Sequence, residues 1–595
     1  MKKARIALAS PKITLCDTEK NADLIIGAIK EACGNGAEII AFPELVITGA
    51  SCADLYKQRS LLSGASRALA KVLKATKTHD ALALVGLPIL HGESIYNAVA
   101  AISGGEILAI TVGGGKYFSK APSERIEVTV AGQKVTAGAD FLFTNDTTGV
   151  NMFVEIGGIA PISDIAKERE ANLVLNLTAM QEYLGLGEIR QTAAVNAAKS
   201  LGAVYAVCSA GEGESTTDGI YAGARLIAKG NKIVKEAPLF SEEILYADVT
   251  VGNDRVCKPS PAIKTALTKT PFVPEDKEKL ESWCSLALEI QSHALAARLT
   301  RSHSEKCIIG VSGGLDSTLA LLVCARAMDM LGRERKRVVA ITMPCYGTTQ
   351  RTKSNALALS DMLGCDGREI DIKAAVTQHF KDISHDESCY NVVYENAQAR
   401  ERTQILMDIA NAEGGIVVGT GDLSELALGF ATYNGDQMSM YGVNASVPKT
   451  LMREIIRYEA KRLSDISDGA LSKVLIDVIE TPVSPELLPT DGKEVTQQTE
   501  DIVGPYVLHD FFLYHTVKYG RAPKEILKLC KKAFLGEYSE EYIKKYLAIF
   551  ERRFFTQQFK RSAMPDGPLV TEISLSPRGA FNMPSDAASN ILRKI

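Results

Sequence analysis

A chain of 595 residues with a formal net charge of −4 and a pI near 6.2 is too long for one hydrophobic core. It implies two or more domains, on a prior of roughly 150 residues each. Hydrophobic residues at 46% and charged residues at 23% are ordinary for a globular chain, and so weak a net charge points to neither nucleic acid nor a membrane as partner.

The opening MKKARIALASPKITL is too short and too interrupted an apolar run for a leader or a spanning helix, so it is expected to supply the first strand of a sheet. Up to about residue 255, short apolar runs such as EIIAFPEL, ALALVGLPIL, VNMFVEIGG, NLVLNLTA and AVYAVCSA are bounded by Gly, Pro, Asn or Ser, as buried strands are. Helical stretches such as NADLIIGAIKEACGNGA and GEIRQTAAVNAAKSLGA lie between them, and YAGARLIAKGNKIVKEA predicts a hairpin turning at Gly230–Asn231. This half is an α/β layered domain. Lys258–Asp276 has linker composition, with prolines among threonines and lysines. After a helix that carries the one tryptophan, Trp283, come the strands KCIIGVS, RVVAITMP, REIDIK and GIVVGTGD, each followed by a helical pattern. That alternation implies a doubly wound parallel sheet with ligands at the carboxyl ends of its strands. Twelve cysteines between Cys16 and Cys530 include no C-x-x-C pair and no zinc spacing, which fits free thiols in a reducing cytoplasm.

The most informative residues are Ser312-Gly313-Gly314-Leu315-Asp316-Ser317, placed between a predicted strand Cys307–Val311 and a predicted helix Thr318–Met328. A helix start there offers unpaired backbone N–H groups to an anion, the glycines allow close approach, and Ser312 and Ser317 add hydroxyl donors. An acid inside a phosphate loop repels phosphate unless a cation intervenes, so Asp316 is expected to be a magnesium ligand. No Walker pattern occurs in the chain. The plainer alternative is a Gly-Gly turn with an N-capping Ser or Asp. The hexapeptide resembles the loop of ATP pyrophosphatases.

Further strings narrow the resemblance: GTTQRTKSNALAL, YENAQARERTQILMDIAN from Tyr394, GTGDLSELALGFATYNGDQMSMYGVNASVPKT from Gly419, FKRSAMPDGP from Phe559 and SLSPRGAFNMPSDA from Ser574. Together they resemble the synthetase domain of glutamine-dependent NAD synthetases, almost without a break from about residue 275 to 590. The resemblance implies adenylation of the nicotinate carboxylate of deamido-NAD by ATP, with magnesium, followed by amidation. It implies that Gly310, Ser312, Gly313, Gly314, Asp316, Ser317 and Thr420 contact ATP, and that Asp316 and Glu425, with Asp436 as a further carboxylate, hold magnesium. Asn396, Glu425, Phe430, Ala431, Thr432, Tyr433 and Lys560 would line the deamido-NAD site, and Lys449 would neutralise phosphate charge. Each also has a plainer reading: Glu425 as a helix cap, Asp436 as a turn residue, Lys560 as part of a wet basic run.

The first half resembles the nitrilase-like glutaminase domain of the same family, through FPELVITGASCADLY from Phe42, VEIGG from Val154 and NLVLNLTA. The family triad is Glu, Lys and Cys. Glu44 matches the base, and Lys116, with Lys120 as the fallback, matches the lysine. The nucleophile's place after Val-Glu-Ile is Gly157, followed by Gly158. Glycine cannot form a thioester, and nothing in the sequence brings Cys52 or Cys208 there. The loop KYFSKAPSERIEVTV and Met180 also depart from the family pattern, which suggests a decayed site in which Glu44 and Lys116 survive as a buried ion pair. The resemblance thus implies a nitrilase-like αββα sandwich over 1–257, a linker over 258–276 and a doubly wound ATP-pyrophosphatase domain over 277–595. The expected enzyme is a cytoplasmic homo-oligomer using ATP, magnesium, deamido-NAD and ammonia. Three alternatives stay open: glutamine as nitrogen source through another nucleophile or a partner, a different acid as substrate, and a nucleotide-binding scaffold without activity.

Overall fold

The computed structural model describes residues 3–145, 149–159, 164–250, 267–347, 350–464, 469–481 and 504–588. Positions 258–266 of the expected linker, and Thr348 and Thr349 of GTTQRTKSNALAL, lie outside them. The chain divides into two compact units, one of Met1–Ser215 with Ile220–Ile263, the other of Thr216–Gly219 with Lys264–Ile595.

The first unit holds two sheets. Strands β1 (Lys3–Leu8), β2 (Ile39–Ala41), β3 (Leu82–His91), β4 (Ser94–Ser103), β5 (Glu106–Gly113), β6 (Ile126–Val130) and β7 (Gln133–Gly138) join a late strand in the order β14-β1-β2-β3-β4-β5-β7-β6, β14 being Leu245–Thr250. The second sheet contains β8 (Leu142–Asn145), β9 (Val150–Ile156), β10 (Leu173–Thr178), β11 (Val204–Ser209), β12 (Arg225–Lys229) and β13 (Lys232–Glu236), in the order β13-β12-β11-β10-β9-β8. The hairpin β12–β13 turns at Gly230, whose φ is +58°.

Side-chain alternation stacks these sheets. In β1, Ile6 and Leu8 face the second sheet's Leu173, Leu175 and Leu177, while Ala7 faces away, as a period of two requires. On that outer side lie Ile25 and Ile29 of α1 (Thr18–Gly34) and Leu69 and Val72 of α2 (Arg59–Ala75). Val174 of β10 points the other way, onto Ala194, Ala197 and Ala198 of α4 (Leu186–Leu201), which follows the short α3 (Asp164–Glu168). The result is an αββα sandwich, the nitrilase-like arrangement expected from the sequence.

The second unit begins with α5 (Lys277–Arg301), capped by Asp276, which accepts from Lys279 N. Its sheet is wholly parallel, in the order β17-β16-β15-β18-β19, with β15 at Lys306–Gly310, β16 at Val338–Thr342, β17 at Asp366–Glu369, β18 at Gly415–Gly419 and β19 at Tyr441–Gly442. Helices α6 (Leu315–Met330), α7 (Gln350–Met362), α8 (Lys373–Asp382) and α9 (Val392–Glu413) connect successive strands. The chain proceeds outward from β15 to β17 and then returns to the other side of β15 as β18. The order reverses there, so a crevice opens at the carboxyl ends of β15 and β18, where doubly wound sheets take ligands. After β18 come α10 (Leu423–Leu428), α11 (Lys449–Arg462), α12 (Ala470–Glu480) and α13 (Tyr506–Tyr519). Among the described residues no helix is long and apolar enough to cross a membrane.

Candidate active site

The Ser312–Ser317 loop occupies that crevice. Gly313 has φ +86°, and a Cβ there would stand 2.1 Å from the backbone oxygen of Thr352, so no larger residue fits. Helix α6 starts three residues earlier than the sequence predicts, with Gly314 as its N-cap. Asp316 and Ser317 therefore lie in the first helical turn, not in the loop. Ser312 Oγ accepts from Gly314 N at 3.3 Å, and Ser317 Oγ donates to Gly314 O at 3.2 Å. The loop's own hydroxyls brace it while the first N–H groups of α6 stay available to an anion. Asn444 ties the two sides of the crevice, donating to Asp316 O at 3.0 Å and to Thr420 O at 2.9 Å.

Lys449 is the first residue of α11, and its Nζ lies 2.7 Å from Asp316, 2.5 Å from Asp422 and 2.9 Å from Glu425. Lys449 and Asp422 are fully buried, at 1% and 0% side-chain exposure. Burial opposes the lysine's charge, but the three carboxylates outweigh it and hold the amine well above the usual lysine range. Burial, and then the charge of Asp316, push Glu425 up to about 7. The ligand oxygens of Asp316, Asp422 and Glu425 lie within 4.8 Å of one another. Burial likewise pushes Asp422 well above the usual carboxylate range, and the hard oxygens of the three carboxyl groups suit a divalent cation such as magnesium. Asp436 is not in this cluster. It is exposed and accepts from Thr432 N at 2.7 Å.

Asp422 was not singled out from the sequence, although Asp-x-x-Glu before an apolar run is a helix-start signal. Its Oδ1 caps α10 by accepting from Glu425 N at 2.8 Å, which leaves its other oxygen for Lys449. Asp510 of α13 was also missed. It is buried and accepts from Ser424 Oγ at 2.5 Å and from Thr450 N at 3.0 Å.

The residues assigned to the second substrate gather past the end of α10. Thr432 Oγ1 donates to Asn396 Oδ1 at 2.8 Å. Lys560 Nζ donates to Gly429 O at 2.8 Å and Ala431 O at 2.5 Å, so a cation satisfies carbonyls at a helix C-terminus. Tyr433 is exposed and packs its ring 5.6 Å from that of Phe559.

In the first unit, Glu44 follows β2 in a loop pressed onto β3, where a Cβ on Gly86 would stand 2.3 Å from Leu45 N. Glu44 is 8% exposed, and Asn97 Nδ2 donates to its Oε2 at 2.5 Å. Burial raises its carboxyl to about 7, against hydrogen bonds from Asn97 and the Ala179 backbone. Gly157 directly follows β9 with φ +82°, and a Cβ built on it would lie 4.0 Å from Glu44 Oε2. Its oxygen accepts from Asn176 Nδ2 at 3.1 Å.

The expected ion pair of Glu44 with Lys116 is not formed. Lys116 is exposed, its Nζ 5.3 Å from the Tyr117 ring centre, because the Gly113–Gly115 run carries the chain outward before the lysine. Lys120 is exposed as well, and among the described residues Glu44 has no ion-pair partner. Cys52 Sγ sits 3.4 Å from Cys16 Sγ, and Cys208 is buried between the sheets, its thiol pushed up to about 12.

The carbon-nitrogen hydrolase family matches residues 5–256, and the NAD synthase family matches residues 288–544. Fold and site together define an enzyme, a ligase with a synthase domain joined to a nitrilase-like domain. Along nearly its whole length the chain is 34% identical to the glutamine-dependent NAD(+) synthetases of Mycobacterium leprae and Mycobacterium tuberculosis, covering 99% of this chain and 96% of each relative. It is 25% identical to that of Aquifex aeolicus, over 95% of this chain and 96% of the relative. The chain belongs to the glutamine-dependent NAD(+) synthetase family. Among solved structures, its fold is similar to that of the Cytophaga hutchinsonii glutamine-dependent NAD(+) synthetase, with TM-score 0.79 and 18% identity, covering 99% and 98% of the two chains. It is also similar to that of the Acinetobacter baumannii enzyme in complex with ADP, with TM-score 0.64 and 20% identity, covering 98% of each.

Proposed function

We propose that this chain makes NAD from deamido-NAD, ATP and ammonia, releasing AMP and pyrophosphate, and that its nitrilase-like half does not hydrolyse glutamine. The observation that carries the second part is Gly157. The position after β9 that faces Glu44 bears only hydrogen, so it offers the base no nucleophile. The outward Lys116 supports the same reading.

A carboxylate does not react with ammonia until it carries a good leaving group. The first N–H groups of α6 and the Ser312 and Ser317 hydroxyls receive the ATP phosphates in this reading, and Thr420 lines the facing strand end. Asp316, Asp422 and Glu425 would hold magnesium, which supplies charge neutralisation for the departing pyrophosphate. Lys449 adds a fixed positive charge on the same side, and Asn444 keeps the two strand ends in register. Asn396, Phe430–Tyr433 and Lys560 shape the deamido-NAD site. The chemistry is positioning and electrostatics, and no covalent protein intermediate is needed. A cytoplasmic homo-oligomer belongs to the same reading.

The test is NAD formation from deamido-NAD and ATP with magnesium, with ammonium or glutamine as donor. Turnover with ammonium and none with glutamine, and no glutamate released, is the expected result. Equal turnover with glutamine would show that another nucleophile exists. Failure with both donors would point to a different acid or to a scaffold.

A further inference from the structure

The bridge that Asn444 makes across the crevice is itself held from behind. Gln291 lies in the middle of α5, a helix that packs against α6 and α11, and both Gln291 and Asn444 are fully buried at 0% exposure. Gln291 Nε2 donates to Asn444 Oδ1 at 2.9 Å and to Val443 O at 3.0 Å. Asn444 Nδ2 in turn donates to Asp316 O and Thr420 O. A carboxamide nitrogen carries two hydrogens, so the two side chains commit all four to these four oxygens. The pair therefore has a direction. With the Asn444 amide turned over, its oxygen would face the carbonyls of Asp316 and Thr420. With both amides turned over, oxygens would face the carbonyls of Asp316, Thr420 and Val443 together. Only the observed arrangement gives all three carbonyls a donor, and it holds although Gln291 Oε1 is left buried with no hydrogen-bond partner among the described residues.

We propose that Gln291 is a positioning residue for the ATP site, acting through Asn444. Asp316 stands in the first turn of α6, and Thr420 directly follows β18 on the facing side of the crevice. The Asn444 amide bridges the two only while its nitrogen points at both, and the Gln291 hydrogen on Oδ1 keeps it so. Gln291 thereby sets the gap between the N–H groups at the start of α6 and the end of β18, from a place that neither solvent nor substrate reaches. Removing that one donor frees the Asn444 amide to rotate about its last torsion, a soft one, and the two edges of the crevice lose their common tie. The inference rests on the reading above that the start of α6 receives the ATP phosphates, and it adds a residue that touches none of them.

The experiment measures equilibrium binding of ATP with magnesium to the full-length protein by calorimetry. Gln291→Met keeps the length of the side chain and removes its donors, and Kd for ATP is expected to rise about tenfold, the scale of one neutral hydrogen bond. Gln291→Asn, which keeps the donors but not the reach, is expected to weaken ATP as well and guards against a first variant that does not fold. Asn444→Ala should weaken ATP at least as much as Gln291→Met, and adding Gln291→Met to it should change Kd no further. In turnover, KM for ATP should rise by more than kcat falls. Leu295→Ala cuts a buried apolar side chain one turn along α5, and it should lower the melting temperature with ATP affinity unchanged. Unchanged ATP affinity in both Gln291 variants would overturn the proposal, as would independent, additive losses in the double variant or an equal loss in Leu295→Ala. ATP binding needs neither deamido-NAD nor a nitrogen donor, so a failure of the amidation reading and a failure here are told apart.

Discussion

Asp510 accepts the Ser424 hydroxyl at 2.5 Å from within the buried face of α13, and Ser424 Oγ in turn accepts from Lys449 N at 2.9 Å. Asp510 also takes the backbone and side chain of Thr450, at 3.0 and 2.7 Å. One carboxylate on α13 thus clamps the starts of α10 and α11, the helices that carry Glu425 and Lys449. Asp510→Ala leaves several buried donors unsatisfied and is expected to cost about 2–4 kcal/mol of stability. NAD formation should fall more than ATP binding, because the clamp sets side-chain positions and touches no substrate. Thermal unfolding and steady-state kinetics check this, and an unchanged melting temperature would count against it.

Lys449→Met removes the amine that neutralises Asp316, Asp422 and Glu425. Leaving buried charges unpaired costs about 3–5 kcal/mol. The expected outcome is a fall of at least about a hundredfold in kcat, on the scale seen when a charge-stabilising group is removed. The variant should also gain more thermal stability from added magnesium than the wild type does, since a divalent cation then supplies the missing charge. Equal magnesium shifts in both proteins would contradict the assignment of this cluster.

Gly313→Ala pushes a Cβ to 2.1 Å from Thr352 O at a φ of +86°. The backbone has to move, and the strain is expected to cost about 1–3 kcal/mol. Since the displaced atoms are those of the phosphate loop, KM for ATP should rise while KM for ammonium stays constant. A variant with wild-type ATP affinity would mean that the loop does not hold the phosphates.

Glu44 is raised from 4.5 to about 7 on folding, chiefly by burial. A carboxyl raised in the folded state holds a proton that the unfolded chain has given up. Its contribution to stability is full below pH 4.5 and is lost as pH rises to about 7. Glu44→Gln should therefore flatten the stability profile across that window relative to the wild type. Chemical denaturation at pH 4.5 and pH 7.5 in the two proteins measures the difference, and parallel profiles would show that Glu44 does not titrate there.

Gly157→Cys puts a thiol after β9, close to Glu44. Glutamine hydrolysis is not expected to return, because Lys116 is exposed and gives no charge to the developing oxyanion. The positive φ of +82° should also make the variant less stable. Glutamate release by this single variant would show that the lysine can reach the site.

Apolar periodicity alone was enough to divide the chain into a layered half and a wound half. The separation of Ile6 from Ala7 into different cores, and of Leu173 from Val174, follows directly from the period-two pattern. The Ser312–Ser317 segment at the start of α6 was legible for the same reason, since its glycines, hydroxyls and acid are contiguous and need no partner from afar. The other members of the cluster are a different matter. Asp422 reads in sequence only as a helix cap and Asp510 only as one acid in an aromatic helix. Their roles come from packing α10, α11 and α13 together across 88 residues of chain, from Asp422 to Asp510. In the first unit, Gly157 stood out in the sequence itself as a position after β9 without a side chain, because a missing side chain needs no neighbour to be noticed. Whether Lys116 meets Glu44 depended on the path of the chain beyond β5, where three glycines leave the backbone free to turn outward. Local residue chemistry is carried by the sequence, whereas charge pairing over long separations is decided by how the elements pack.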